Sequence, residues 1–237
     1  MIYSSFQKQI YKRNMSLQLD RQEQLGEDGK EGITYACKVK RQYKSECLGQ
    51  SVHLKRGATV AVKTFRKTKS SAKMSKEASF QQKCAAVGVS PPVYAIDTGE
   101  KQIVMQMMAS LPAEKYRNNP LPDNLQYQIC ALMDRMDQAG VLHNDGLARN
   151  VMQDESGRVY MIDFGFAKTI GAKVKKKFGN HPNVAVTLWA LVRGFKRFGI
   201  KCSIMDNCVK AEEKQAFFDK GESLLVTETR ARKRRKR

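Results

Sequence analysis

Residues 141–166 read VLHNDGLARNVMQDESGRVYMIDFGF, which sets Asp145, Asn150 and Asp163 among short apolar runs. Aspartate and asparagine are poor strand formers, so their presence beside VLH, VM and VYMI needs a reason. Two reasons are open on these residues alone. One is local, because Asx side chains bond to their own backbone and make turns at strand ends. The other is chemical, because two carboxylates and a carboxamide concentrate oxygen donors and negative charge in one short stretch.

The elements that must position these residues follow from pattern. Residues 25–65 read as strands: GITYACKVK, a polar stretch RQYKSECLGQS, then VHLKRGATVAVKTF. SAKMSKEASFQQKCAAVG reads as a helix, with Ser70 or Ser71 as N-cap and Gly88 as stop, and Pro91 and Pro92 block its continuation. VYAID, a Thr-Gly turn and KQIVMQMM form a hairpin that leads into a connector carrying Pro112, Pro120 and Pro122. From Asp123, Leu125, Ile129, Leu132, Met133 and Met136 fall at helical spacing until Gly140. NVMQ and RVYMIDF flank the turn DESG as a short hairpin. HPNVAVTLWALVRGFKRFG is helical again, with Val184, Leu188, Leu191, Val192 and Phe195 on one face. A strand-rich half with one helix thus precedes a helix-rich half.

With these elements in place, the motifs resemble the protein kinase-like superfamily. HNDGLARN and the later DFG are similar to its H-R-D-L-x-x-x-N loop and D-F-G motif, and VAVK (60–63) is similar to its third-strand V-A-I-K. LGEDGKEGITY (25–35) resembles its glycine-rich loop, and Glu77 is placed like the helix glutamate that pairs with the strand lysine. Each motif alone is a common turn or strand ending; their joint order is what identifies the family. The resemblance implies an α+β fold, bilobal, with a small strand-rich N-lobe and a reduced helical C-lobe. It implies ATP and Mg²⁺ as cofactors. Gly26, Gly29 and Gly32 then admit phosphates to backbone N–H groups, and Lys63, oriented by Glu77, holds the α- and β-phosphates. Asn150 and Asp163 supply hard oxygen ligands to Mg²⁺, and Asp145 orients the acceptor hydroxyl. His143 packs the loop. Backbone groups of Gln106, Met107 and Met108 meet adenine.

The departures narrow the kind of member. Asn144 stands at the arginine of H-R-D, Gly146 at the leucine and Leu147 at the catalytic-loop lysine of serine/threonine kinases. Arg149 gives an A-R-N ending like that of tyrosine kinases and supplies charge from another position. No A-P-E motif follows D-F-G, and only seventeen residues lie between Gly165 and Asn183. Such economy resembles compact atypical members, among them RIO kinases, the KEOPS-complex kinase, aminoglycoside phosphotransferases and small virus-encoded kinases.

Composition bounds the rest. The net charge of +20 favours phosphate-rich or acidic partners. RARKRRKR (230–237) holds seven cations and KVKKK (173–177) four. The first reads as an unstructured tail for nuclear import, nucleic-acid contact or docking of acidic protein. The six scattered cysteines read as buried small hydrophobes, and the three histidines argue against structural zinc. No apolar run approaches the roughly 20 residues that span a bilayer, and no signal-peptide core follows Met1, so an intracellular, membrane-free chain is expected. The expected division is an N-terminal arm at 1–24, an N-lobe at 25–110, a C-lobe at 111–229 and the basic tail at 230–237. The expected activity is transfer of the ATP γ-phosphate to serine or threonine of a protein. A small-molecule phosphotransferase or a nucleotide-binding pseudokinase is the alternative.

Overall fold

The computed structural model describes residues 17–26, 29, 31–111 and 113–235, with side chains of the last helix described as far as Leu225. They form two compact units. One holds the described residues up to Ser71 together with Val93–Met107, the other Ala72–Pro92 and the described residues from Met108 onward.

The first unit is built on an antiparallel five-stranded sheet in the order β1-β2-β5-β7-β6. Its strands are β1 (Leu19–Leu25), β2 (Gly32–Val39), β5 (Thr59–Phe65), β6 (Val93–Asp97) and β7 (Gln102–Gln106). β5 is central and reads Thr-Val-Ala-Val-Lys-Thr-Phe, with Val60, Val62 and Phe65 buried. β1 corrects the expected arm at 1–24. Its LDRQEQL is too polar to announce a strand, yet as an edge it needs only to pair with β2, and its middle residues stay exposed. Residues 1–16 of that arm lie outside the described residues.

The polar stretch RQYKSECLGQS also proves to be folded. It carries β3 (Tyr43–Cys47) and the turn into β4 (Gln50–Leu54). Tyr43, Cys47, Val52 and Leu54 bury one face, while Leu48 and Gly49 turn the chain with φ of 50° and 77°. Its alternation is thin because the apolar positions are a tyrosine and a cysteine.

The second unit collects the helices. Helix α1 (Ser71–Ala86) ends at Gly88 with φ 70°, as its sequence indicates, and all but its first residue belongs to this unit. Cys84 and Val89 enter the same core as Ile129, Leu132 and Met136 of α2 (Asp123–Gln138), so a contiguous first lobe over 25–110 is not how the chain packs. β8 (Ala109–Ser110), β10 (Val151–Gln153) and β11 (Val159–Met161) form a small sheet. β9 (Val141–Leu142) pairs with β12 (Lys168–Thr169). Then come α3 (Ala172–Phe178), a π-helical turn at Val184–Leu188, α4 (Trp189–Arg197), α5 (Ser203–Lys210) and α6 (Gln215–Arg235).

Helix α6 seals the core from outside. Phe218 and Leu225 are buried, and Glu222 receives both Nε and a terminal nitrogen of Arg135 on α2. Gly221 permits the approach, since a Cβ there would stand 2.2 Å from the Tyr127 carbonyl oxygen. The helical backbone continues to Arg235, which replaces the unstructured tail expected from 230. Lysine and arginine are good helix formers, and a docked helix needs no new nucleus to extend. Residues 236–237 lie outside the described residues. All six cysteines are buried and free. Among the described residues, no helix is long and apolar enough to cross a membrane.

Candidate active site

The pairing of β9 with β12 brings the two ends of the opening stretch together. Everything from His143 to Ala167 is a loop, a hairpin and a second loop hung between them. Inside this bracket, Asn150 Nδ2 donates to Asp145 Oδ2 at 2.9 Å and to the Asp145 carbonyl at 3.3 Å. The Ile162 N–H donates to the Asn150 carbonyl at 3.0 Å, which fixes the residue before Asp163. Asp163 itself holds φ 64°, a left-handed conformation that costs a side chain energy and that aspartate tolerates better than most. A carboxylate oxygen of Asp163 lies within 4.8 Å of one of Glu77 on α1, which is buried. Asp145, Asn150, Asp163 and Glu77 are thus gathered in one unit.

A buried polar clamp holds the loop from beneath. Asn183, fully buried, accepts from the His143 N–H at 3.0 Å and donates through Nδ2 to the Val141 carbonyl and to Asp137 Oδ1, both at 2.7 Å. Thr187 Oγ1 donates to Asn183 Oδ1 and accepts from the Asn144 N–H. Burial pushes the Asp137 carboxyl up to about 7 against the lowering effect of its bonds from Asn183. Its Oδ2 is buried and finds no hydrogen-bond partner among the described residues. Sequence reading missed Asn183, Thr187 and Asp137. Their signal was polarity next to a core residue, Met136, Val184 or Leu188.

His143 is the structural histidine expected. Burial lowers its pKa, so the ring is neutral, and Nε2 donates to the Ile162 carbonyl at 3.0 Å. Its ring meets Phe164 edge-on with centroids 4.7 Å apart. Two departures from the family pattern also acquire reasons. A Cβ on Gly146 would stand 2.2 Å from the Thr187 carbonyl oxygen, so the loop rests on the π-helical turn where a leucine has no room. Asn144, at φ 63°, donates from Nδ2 to the Phe166 carbonyl and ties the loop to the segment after DFG. Arg149 is not drawn into the Asp145 cluster. Its side chain is exposed and lines a separate hollow beside Leu111 and Phe198.

The remaining candidates sit on the first unit. Lys63 lies mid-strand on β5, opposite Thr34 of β2 and Ile103 of β7. Gly26 turns the chain with φ 74°. The Gly29 N–H donates to the Gly32 carbonyl at 3.0 Å. Gly32 has a packing reason of its own, because a Cβ there would lie 2.3 Å from the Thr64 carbonyl oxygen. Glu31 pairs with Lys69 at 2.5 Å, an anchor for this loop that the sequence did not reveal. Glu27, Asp28 and Lys30 lie outside the described residues. Gln106 ends β7, and the passage between units falls between Met107 and Met108, within the segment expected to meet adenine.

The family model described as protein tyrosine and serine/threonine kinase matches residues 19–191, from the first residue of β1 into α4. The chain belongs to this kinase family. Every residue of the opening stretch falls inside the match, as do Lys63, Glu77 and the clamp of Asp137, Asn183 and Thr187. Kinase domains of this family generally use ATP and Mg²⁺, and membership points to phosphotransferase activity.

Proposed function

We propose that this kinase transfers the γ-phosphate of ATP to a serine or threonine hydroxyl of a protein. The observation that carries the reading is the Asp145–Asn150–Asp163 cluster, held in an irregular backbone by buried hydrogen bonds. In this reading Asp145 accepts or orients the acceptor hydroxyl hydrogen, and the bond from Asn150 fixes its carboxylate. The hydroxyl oxygen attacks the γ-phosphorus, the β–γ bridging bond breaks, and ADP leaves.

The donor set fits Mg²⁺. Asn150 has committed its amide nitrogen to Asp145, so its side-chain oxygen remains as a hard donor, and the Asp163 carboxylate offers another. Two carboxylates as close as Asp163 and Glu77 are also stabilised by a cation near them. Bound there, the ion supplies charge neutralisation of the nucleotide phosphates. By the family's pattern, Lys63 would hold the α- and β-phosphates, and Glu77 takes the place of the glutamate that orients that lysine. In the family's pattern Gly26, Gly29 and Gly32 would leave room for the phosphates, and the backbone of Gln106, Met107 and Met108 would meet the adenine.

One observation favours a second reading within the family. Ala148-Arg149-Asn150 is the tyrosine-kinase form of the loop ending, so tyrosine is the competing acceptor. Labelled ATP, the purified chain and a mixed protein substrate, followed by phosphoamino-acid analysis, separate the two. Phosphoserine or phosphothreonine is expected. Phosphotyrosine alone moves the assignment to the second reading, and label confined to small molecules overturns the protein acceptor.

A further inference from the structure

The chain distributes charge unevenly around the site. Between Phe164 and Met205 there are nine lysines and arginines and not one carboxylate. Lys168, Lys173, Lys175, Lys176 and Lys177 of the segment after DFG are all exposed. A hollow of about 250 Å³ opens within the second unit, lined in part by Ala148 and Arg149 of the loop. Leu111, Val151 and Phe198 give it apolar walls, and Arg117, Arg149 and Glu114 stand at its edge. Both guanidiniums are exposed, and neither has a hydrogen-bond or ion-pair partner among the described residues. Phe198 remains 58 % exposed, a large ring left in water beside two uncommitted cations.

Resting on the protein-kinase reading, we infer that the acceptor is an acidic peptide segment and that the Arg117–Arg149 hollow holds one of its Asp or Glu side chains. Three features support this occupant. The hollow is smaller than the roughly 300–1,000 Å³ of small-molecule pockets, which suits a side chain or two rather than a free ligand. Its chemistry is mixed: an apolar wall takes the methylenes of a glutamate while guanidiniums take the carboxylate in paired N–H···O bonds. It also borders the loop that carries Asp145: Ala148 and Arg149 line it, and Arg149 directly precedes Asn150, whose amide holds Asp145. Glu114 repels a carboxylate, and two arginines outweigh it. The exposed lysines beyond DFG add positive charge to the same unit.

The test uses the full chain and one serine peptide in three forms, flanked by Asp/Glu, by Ala or by Lys. Its readout is the ratio of kcat/KM for the acidic form to that for the alanine form. Wild type should give a ratio of about tenfold or more, as charge-assisted pairs provide. Arg117→Glu should bring that ratio near or below unity and raise the relative rate on the lysine peptide. Lys55→Glu, the same charge change at an exposed site of the first unit, should keep the wild-type ratio. Equal losses in the two variants make the preference one of bulk charge and overturn the proposal. Fluorescence polarisation of the labelled acidic peptide decides the case without turnover. If no peptide is phosphorylated but binding depends on Arg117 and not Lys55, the protein-kinase reading fails and the acidic site stands. Phosphorylation with no Arg117 dependence leaves the kinase reading and removes this one. Arg117-dependent binding of a single-stranded oligonucleotide, with none of the peptide, also overturns it.

Discussion

The two units hold their candidate residues by opposite means. On the first, Lys63 rides a regular central strand, and its direction follows from the pleat of β5 between β2 and β7. On the second, Asp145, Asn150 and Asp163 sit on irregular backbone, two non-glycine residues of the bracket at positive φ, and side chains rather than a ladder set their places. A strand held by its ladder can lose a half-buried lysine side chain and remain a strand. A loop fixed by Asn183 loses its shape when that side chain goes. The lesson is that stability and chemistry are separable on the first unit and coupled on the second.

Substitutions of the proposed ligands, one on each unit, should have the largest effect. Lys63→Ala should leave the unfolding midpoint near wild type and lower the transfer rate by roughly 10²-fold or more. Asp163→Asn, which keeps a residue tolerant of left-handed φ, should lower it similarly. Circular dichroism melts alongside single-turnover rates check both. A folded variant with ordinary turnover would remove the residue from the mechanism.

Asn183→Ala probes the coupled side. It strips partners from the His143 N–H and the Val141 carbonyl, both buried, and removes one of the two bonds to Asp137, which keeps the backbone N–H of residue 183. A stability loss of about 2–4 kcal/mol is expected in urea unfolding, with transfer lost ahead of global unfolding. A small stability change would mean that Thr187 or water replaces the clamp.

Asp137 sharpens the same point through pH. Its folded pKa of about 7 is above the ordinary carboxylate value, so the native state binds the extra proton. Its contribution to stability is therefore fully present below about pH 4 and is lost as pH rises towards 7. Nearby Asp134 raises the value further and Lys175 lowers it. Asp137→Asn should flatten this dependence, by on the order of 3 kcal/mol or less across the window. Urea midpoints at pH 5 and pH 8 report it, and an unchanged slope would show that Asp137 is not the titrating group.

The smallest expected effect concerns regulation. Asn144 already ties the loop to the Phe166 carbonyl, so no phosphorylated side chain is needed to do so. Phosphatase treatment, followed by removal of the phosphatase, should change the rate by less than about twofold. A large drop that recovers on autophosphorylation would break the comparison, because the second unit would then need an outside charge to set its geometry.

The sequence disclosed what pattern can carry. The strand text around VAVK, the spacing of Leu125, Ile129, Leu132 and Met136, and the ordered motifs from VAVK to DFG were all legible. The clustering of Asp145 with Asn150 was legible as well, through family resemblance. The clamp was not, because Asn183 after His181-Pro182 reads as a helix cap and Asp137 before Gly140 as an exposed helix end. β1 was hidden by polarity, and α6 by Gly221, which reads as a helix breaker until the Tyr127 carbonyl beneath it is seen. Arg149 was read as part of the chemistry from its place in A-R-N, and only the course of its side chain sets it beside Arg117.

The family match stops at Leu191, but the core does not. Phe195, Met205, Phe218 and Leu225 come after that point and pack into the same cluster as Ile129 and Leu132. What is inherited as kinase and what folds as a body therefore have different ends. A protein cut to the matched residues would keep every proposed ligand and expose the outer face of α2, from Tyr127 to Arg135, to water. It would be expected to aggregate rather than turn over, and its silence in an assay would say nothing about its chemistry.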